Sequence, residues 1–155
     1  MAFKFEKLEI WQLSKELAKA IYSLIKTLPK EEQYNLSSQI RRAVTSISLN
    51  IAEGSTSQTD PEQLRFLGYA HRSLMEVVAC LILLHENGYL PKAHYDDLYQ
   101  DSEKLSAKIL AMKNAIKRRS SAYSIQEEAE NYRIEKSSVI RHPSKNQYEI
   151  NSILL

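Results

Sequence analysis

Residues 36–54, LSSQIRRAVTSISLNIAEG, decide the fold of this chain. Apolar side chains recur there every three or four residues, so they share one face of a helix. These are Leu36, Ile40, Val44, Ile47 and Ile51. A neighbouring strip repeats polar side chains with the same spacing: Gln39, Arg42, Ser46, Asn50 and Glu53. Gly54 is expected to end the helix in the left-handed conformation, and Asn35 or Ser37 to cap its start.

Three further segments carry the same helical periodicity. A helix over about 7–28 should stop before Pro29, because proline cannot continue a helix. A helix over 61–86 should begin after a capping Asp60 and close at Asn87 and Gly88. A fourth helix over 92–119 ends in cations, which complement the helix dipole. Four helices with short connections and no strand pattern predict an all-α, antiparallel up-down-up-down four-helix bundle.

The composition changes at Ser120, where the helical periodicity fades. Residues 1–119 are predicted to form the bundle. Residues 120–155 are predicted to form a C-terminal tail, mostly disordered or docking on a surface, with a short helix over about 125–134 as one alternative.

The single cysteine, the N-terminal sequence and the length of the apolar runs indicate the cellular compartment of the protein. The lone Cys80 lies in an apolar run and is interpreted as a buried hydrophobe, which fits a reducing compartment. The start lacks the pattern of a signal peptide. The longest apolar run, residues 77–84, falls short of the roughly 20 residues that span a bilayer. We therefore expect a cytoplasmic protein without a membrane partner.

Catalytic and metal-binding patterns are absent from the sequence. It contains no HExxH, GxSxG, P-loop or GxGxxG motif, and its three glycines are scattered. His85 is interpreted as a buried, hydrogen-bonded histidine, and Cys80 has no polar neighbour to activate it. The sequence predicts no catalytic residue, no metal ligand and no cofactor, and hence no enzyme.

The second half of the third helix is apolar on nearly every face, from Val77 to Leu84. A helix that is apolar all round is buried all round. Two interpretations remain, a central position in the bundle or a contact between subunits, and the pattern favours the contact.

Asn50 and Glu53 border the apolar face of the second helix, and Glu76 approaches from the third helix. Buried polar groups must be paired. They are read as part of a structural network, with contact to a ligand or partner as the alternative.

Six basic residues are the candidate nucleic-acid contacts: Arg41, Arg42, Lys113, Lys117, Arg118 and Arg119. Neighbours on a helix diverge by about 100°, so Arg41 and Arg42 are not expected to face the same way. Each cation alone fits ordinary surface charge, and the net charge is only +2. A cyclic oligomer repeats each patch and thereby strengthens the local field.

Five segments together resemble the four-helix-bundle proteins encoded in intervening sequences of bacterial 23S rRNA genes. They are FEKLEIWQLSKELAKAIY (5–22), LP (28–29), LSSQIRRAVTSISLNIAEG (36–54), RFLGYAHRSLMEV (65–77) and ENGYL (86–90). The accessory variability protein of diversity-generating retroelements is a relative. The resemblance implies a non-catalytic bundle that assembles into a homopentamer. For the retroelement relative, it implies binding to nucleic acid and to a reverse transcriptase.

The same resemblance adds Ser46 and Ser73 to the family's recurrent polar positions. The predicted structural network is then Ser46, Asn50, Glu53, Ser73 and Glu76. The sequence departs from the family pattern at two places. The loop STSQTDPEQ lacks the basic residue that such proteins often carry there, which weakens the inference of nucleic-acid binding by that loop. Arg72 stands where a small residue is usual and adds charge to the third helix. The leading hypothesis is a small cytoplasmic bundle that self-assembles into a pentamer and binds structured RNA or DNA electrostatically through its basic residues. The alternative is a scaffold that docks a partner protein, such as a reverse transcriptase.

Overall fold

The computed structural model describes residues 3–32 and 35–141. Its helices are α1 (Glu9–Ile25), α2 (Leu36–Gly54), α3 (Asp60–Glu86) and α4 (Lys92–Arg141). Two short 3-10 helices, Lys4–Lys7 and Lys30–Glu32, precede α1 and α2. The chain divides into two units, Met1–Lys117 and Arg118–Leu155. No strand occurs in the part of the chain that the structure describes.

Hydrogen bonds between α1 and α2 set their antiparallel pairing. Ser14 lies 3.0 Å from Ser48, and Tyr22 lies 2.7 Å from Thr45. The later residue of α1 therefore pairs with the earlier residue of α2, as in antiparallel helices. Both pairs join hydroxyl oxygens. They place the start of α1 beside the later half of α2.

The remaining helices continue the antiparallel pattern. Ser46 of α2 bonds Ser73 of α3, and His71 of α3 bonds Ser106 of α4. Lys108 of α4 then forms an ion pair of 2.9 Å with Glu9 of α1. These contacts arrange the helices in the ring order α1, α2, α3, α4, with α2 and α4 at opposite corners. The predicted all-α, up-down-up-down four-helix bundle is confirmed.

The core collects the apolar faces of all four helices. Its fully buried side chains include Ile21, Ile47, Leu74 and Leu105, one from each helix. Burying a side chain of this size contributes about 1.5–3 kcal/mol. The core therefore explains why the apolar spacing of each helix specifies this arrangement. Cys80 is a free thiol in the same core and 4% exposed, as its sequence context predicts.

The ends of α2 and α3 differ from the sequence predictions. Neither Asn35 nor Ser37 caps α2. Asn35 occupies the N-cap position, but its side-chain amide donates to Glu32 at 3.1 Å and makes no capping hydrogen bond. The Ser37 hydroxyl has no hydrogen-bond partner among the described residues. The amide of Leu36 instead lies 3.4 Å from a carboxylate oxygen of Glu32. α3 is capped by Thr59, whose hydroxyl accepts from the Glu62 amide, and Asp60 is its first helical residue.

Gly54 does not adopt the left-handed conformation predicted for it. Among the described residues only Gly88 does, with φ +77°, just after the end of α3. Gly54 is helical, and a Cβ there would lie 2.9 Å from the Cβ of Phe66 on α3. The glycine is therefore required by close packing of two helices.

α4 continues far beyond its predicted end at residue 119, to Arg141. The sequence holds no glycine or proline between Pro91 and Pro143. Extending an existing helix needs no new nucleation, and residues 120–134 include good helix formers such as Gln, Glu and Ala. The short helix over 125–134 lies within α4, and the docking of residues 142–155 lies outside the described residues.

One helix of the described chain, Asp60–Glu86, is long and apolar enough to cross a membrane by composition alone. Core helices of bundles pass the same test. Leu67, Leu74, Leu81 and Leu84 of this helix lie in the bundle core.

Candidate nucleic-acid interface

An open groove of about 550 Å³ runs along the outer face of α2. Its basic side chains are Arg41 and Arg42, and Ser46, Leu49 and Asn50 of the same helix also line it. Tyr22 of α1, Thr45 and Glu53 complete the lining. We call this surface the α2 groove.

Arg41 and Arg42 are both exposed and both line the α2 groove. Both residues border this one open groove although their backbone positions diverge by about 100° around α2. An arginine side chain is long enough to reach one groove from adjacent backbone positions. Neither guanidinium forms an ion pair with a side chain that the structure describes. The groove thus holds two arginines that are available to an anion.

Hydrogen bonds fix the wall of the groove nearest α1. The Thr45 hydroxyl donates to the Arg41 carbonyl at 2.9 Å, which uses its one proton. The Tyr22 hydroxyl, 2.7 Å away, therefore donates to Thr45. These two hydrogen bonds tie Tyr22 to α2 and leave the acceptor capacity of its hydroxyl oxygen unused by either of them.

A second set of bonds fixes the wall nearest α3. The Asn50 side-chain amide donates to the Ser46 carbonyl at 2.8 Å and to the Ser46 hydroxyl at 3.0 Å. Since that hydroxyl accepts from Asn50, it can donate to Ser73, 2.9 Å away on α3. The structure therefore joins three of the five polar residues singled out from the sequence.

The other two polar residues lie apart from this cluster. Glu76 accepts a hydrogen bond from the Gln39 side chain across the α2–α3 seam. Glu53 is exposed and lines the α2 groove, so the groove carries one negative charge from Glu53 and two positive charges from Arg41 and Arg42. Whether these five residues act as a structural network or contact a ligand stays a prediction.

The four α4 cations do not line the α2 groove. Lys113 is half-buried against α3, with its Nζ 3.7 Å from where a Cβ of Gly68 would stand. Lys117 follows on the same helix, at the corner opposite α2. Arg118 and Arg119 belong to the second unit of the chain and are exposed. Of the four predicted cations in the first unit, only Arg41 and Arg42 line the α2 groove.

His71 shows the effect of Lys113 on its surroundings. The ring Nε2 lies 2.9 Å from the Ser106 hydroxyl. Burial, reinforced by the positive charge of Lys113, lowers the pKa of His71. The other histidine of the α3–α4 seam, His85, bonds the Leu90 carbonyl at 2.8 Å and stacks on Tyr95, in agreement with the structural interpretation.

The apolar half of α3 is not central in the bundle. Val77, Leu81 and Leu84 face the core, while Ile82 is 39% exposed and Leu83 48%. Met75, Ala79 and Ile82 recur at intervals of four and three and form one exposed apolar stripe. We call it the α3 stripe. A central position is thereby excluded, and a contact between subunits stays a prediction.

Three residues of the α2 groove were missed from the sequence as site residues: Tyr22, Thr45 and Leu49. Leu49 carried a usable signal, because it interrupts the polar side of α2 and is 62% exposed. Tyr22 and Thr45 come together only through helix packing, so their contact leaves no pattern in the sequence. No cluster of three or more metal-ligating side chains occurs within residues 3–32 and 35–141.

A family model described as "23S rRNA-intervening sequence protein" matches residues 6–111. This chain belongs to that family. The family match contains the whole α2 groove and the α3 stripe, and it ends before Lys113. The resemblance seen in the sequence is confirmed at this level, and the family description mentions no retroelement.

A solved structure supports the same assignment. It is a protein from Bacteroides thetaiotaomicron, described as being of unknown function and from the S23 ribosomal protein family. It is 27% identical to this chain with a TM-score of 0.64, covering 67% of this chain and 97% of the other. No curated protein matches the chain. Neither description names a catalytic activity.

Proposed function

We propose that this family member is a non-catalytic, cytoplasmic bundle that self-assembles into a homopentamer and binds structured RNA or DNA. The observation that supports it most is the pair of exposed arginines, Arg41 and Arg42, in one open groove without a described ion-pair partner. Arginine forms bidentate, charge-assisted hydrogen bonds to phosphate. Two such groups in one groove suit two phosphates of a nucleic-acid backbone.

The other lining groups fit a sugar-phosphate chain. The oxygen of Tyr22 and the carbonyl oxygen of Asn50 are hydrogen-bond acceptors for ribose hydroxyls. The exposed side chain of Leu49 offers an apolar contact to a sugar or a base. None of these groups forms the bidentate pattern that reads a base edge, so the binding is directed at backbone and shape.

Self-assembly compensates for the mild charge of one copy. The chain carries a net charge of only +2, which alone gives weak attraction. A cyclic oligomer repeats the α2 groove around its axis and adds the fields of the copies. Lys113, Lys117, Arg118 and Arg119 are the further phosphate contacts of this proposal.

The α3 stripe is the surface that we assign to subunit contact. Met75, Ala79 and Ile82 leave apolar area in water, whereas Leu74, Val77 and Leu81 on the opposite side of α3 are buried in the core. Covering that area with a second copy removes it from water, at about 25 cal/mol per Å². The stripe and the α2 groove are carried by neighbouring helices, so one can be covered while the other stays accessible.

Charge reversal tests the nucleic-acid claim. The Arg41→Glu/Arg42→Glu variant is compared with Lys26→Glu/Lys104→Glu, which makes the same change in net charge at exposed positions outside the groove. Binding to a fluorescein-labelled hairpin RNA is followed by anisotropy, and folding by circular dichroism. We expect a loss of at least tenfold in affinity for the groove variant beyond that of the control. Equal losses in both variants would reject the groove as the binding site.

The second candidate function is a protein-interaction scaffold that docks a partner such as a reverse transcriptase. The α3 stripe favours it, because an apolar surface also suits a different protein chain. Salt separates the two functions. Phosphate contacts weaken steeply as salt rises, whereas an apolar contact responds little.

A further inference from the structure

A second groove, of about 650 Å³, lies between α1 and α4 near the end of the bundle. Its apolar floor is formed by Ala20, Leu24, Leu90 and Leu98. Two carboxylates of α4, Asp97 and Asp101, stand in its lining. We call this surface the α4 groove. All of its residues belong to the first unit of the chain, and it shares none with the α2 groove.

The floor of the α4 groove is an extension of the core. Leu90 is 1% exposed and Leu98 7%, so both are held rigidly by their surroundings. On the α1 side, the hydroxyl of Ser23 donates to the Lys19 carbonyl at 3.1 Å, which uses its only proton. An incoming group therefore meets apolar surface below and hydrogen-bond acceptors at the edge.

The charges of the α4 groove are negative and uncompensated. Asp97 and Asp101 are exposed, and neither forms a hydrogen bond or an ion pair with a described side chain. Their neighbour Asp96, by contrast, is bound by Lys92 at 2.5 and 2.7 Å. No lysine or arginine lines the groove. The surface therefore repels a phosphate chain and attracts a cation.

The spacing of the carboxylates suggests the form of the occupant. Residues four apart on a helix lie one turn apart, about 6 Å. Lysine or arginine residues three or four apart on a second helix have the same spacing.

We propose that the α4 groove docks a basic amphipathic helix of a partner protein. Apolar side chains of that helix enter the floor between Leu24 and Leu98, and two of its cations pair with Asp97 and Asp101. This is the helix-in-groove mode of peptide recognition, with charge giving orientation and apolar anchors giving affinity. The site is distinct from the α2 groove and does not depend on nucleic-acid binding, so the same bundle carries two surfaces of opposite charge.

The test uses the full chain and a synthetic probe. The probe is a fluorescein-labelled, 16-residue helical peptide with leucines on one face and lysines flanking them. A matched peptide replaces every lysine with glutamate. Anisotropy should show binding of the lysine peptide and at least tenfold weaker binding of the glutamate peptide. Equal binding of the two peptides would overturn the proposal.

Variants locate the site. Asp97→Asn/Asp101→Asn should weaken binding of the lysine peptide about tenfold, as expected for loss of two ion pairs. Asp96→Asn/Glu103→Gln is the matched control, because it makes the same change in net charge at exposed α4 carboxylates outside the groove, and it should change affinity less than twofold. Ser23→Trp, which fills the groove from its exposed rim, should also abolish binding. Unchanged affinity in Asp97→Asn/Asp101→Asn would overturn the proposal even if the peptide binds.

Two further measurements separate this proposal from other occupants and from the proposed function. If Asp97→Asn/Asp101→Asn lowers the solution mass of the protein, a second copy fills the groove and the assignment to a partner protein is wrong. If Arg41→Glu/Arg42→Glu binds the lysine peptide with wild-type affinity, the two grooves are independent, as proposed. Failure of RNA binding leaves the peptide result unaffected.

Discussion

The Cβ that Gly54 lacks would stand 2.9 Å from the Cβ of Phe66, at the place where α2 meets α3. A real Cβ contact is never this short, and both atoms belong to the rigid start of a side chain. The two helices can therefore approach this closely only with glycine on α2.

Gly54→Ala should destabilise the bundle by about 1–3 kcal/mol, as overpacking does in other cores. Alanine has a higher helix propensity than glycine, by about 1 kcal/mol. A loss of stability in this variant can therefore be attributed to the steric clash. Gly68→Ala is the control, since its nearest neighbour, the flexible Lys113 Nζ, lies at 3.7 Å. Urea unfolding measures both. A Gly54→Ala variant as stable as Gly68→Ala would contradict the close approach.

Asn50→Ala distinguishes a structural role from a ligand contact. The substitution removes two hydrogen bonds to Ser46, which contribute about 0.5–1.5 kcal/mol each. If Asn50 has a structural role, the variant should have a lower urea midpoint, and its folded form should bind RNA with wild-type affinity. A ligand contact predicts weaker RNA binding at unchanged stability. Ser73→Ala, which touches the cluster from outside the groove, should lower stability only.

The stability of the bundle should fall as the medium becomes more acidic than the ordinary pKa of histidine, about 6.5. Burial and Lys113 lower the pKa of His71 in the folded state, so the unfolded chain takes up the proton first. The contribution is fully present above pH 6.5 and is lost as pH falls through that value towards the folded pKa. His71→Gln should remove this part of the pH dependence, measured as the difference in urea midpoint between pH 7.5 and 5.5. A variant with the same pH dependence as wild type would argue against a neutral, buried His71.

Cys80 should react slowly with thiol reagents in the native protein. Burial, followed by the nearby charge of Glu76, raises the pKa of the Cys80 thiol, and the side chain is 4% exposed. The thiolate is the reactive form, so both effects slow the reaction. Labelling with a chromogenic disulfide at pH 7.5 should be slow without denaturant and fast in urea. Rapid labelling of the native protein would place Cys80 at the surface.

Much of the fold follows from the sequence, because periodic apolar spacing and helix breakers act locally. α2 begins and ends where its periodicity does, at Leu36 and Gly54. The extension of α4 could not be predicted from composition, because a segment of mixed charge is typical of disordered tails. The described part of this segment contains no helix breaker, however, so a helix that has already formed can continue through it. The role of Gly54 was missed because close approach of two helices depends on the partner, here Phe66.

The candidate site is less readable than the fold. Arg41 and Arg42 could be chosen from the sequence, but that they share one groove with Tyr22 of α1 is visible only in the folded structure. No sequence pattern indicates the hydrogen bond from Tyr22 to Thr45 or the lack of an ion pair at Asp97, because both depend on how the helices pack. The α4 groove lies between segments that are about 70 residues apart, so only the folded bundle reveals it.

Self-assembly has its own test. Five chains of 17.9 kDa give a solution mass of about 90 kDa by light scattering after nuclease and high-salt treatment. Ala79→Glu/Ile82→Glu should reduce that mass by charging the α3 stripe, while Leu110→Glu, an exposed apolar position on α4, should not. A wild-type monomer would remove the ring from the proposal.

The most direct measurement of the central claim is the salt dependence of binding to hairpin RNA. Each phosphate contacted contributes a slope of about −0.7 to −0.9 to a plot of log affinity against log salt concentration. Two arginines per α2 groove predict a slope of about −1.4 or steeper, which becomes shallower in Arg41→Ala/Arg42→Ala. A slope near zero, or one that the double variant leaves unchanged, would contradict the account.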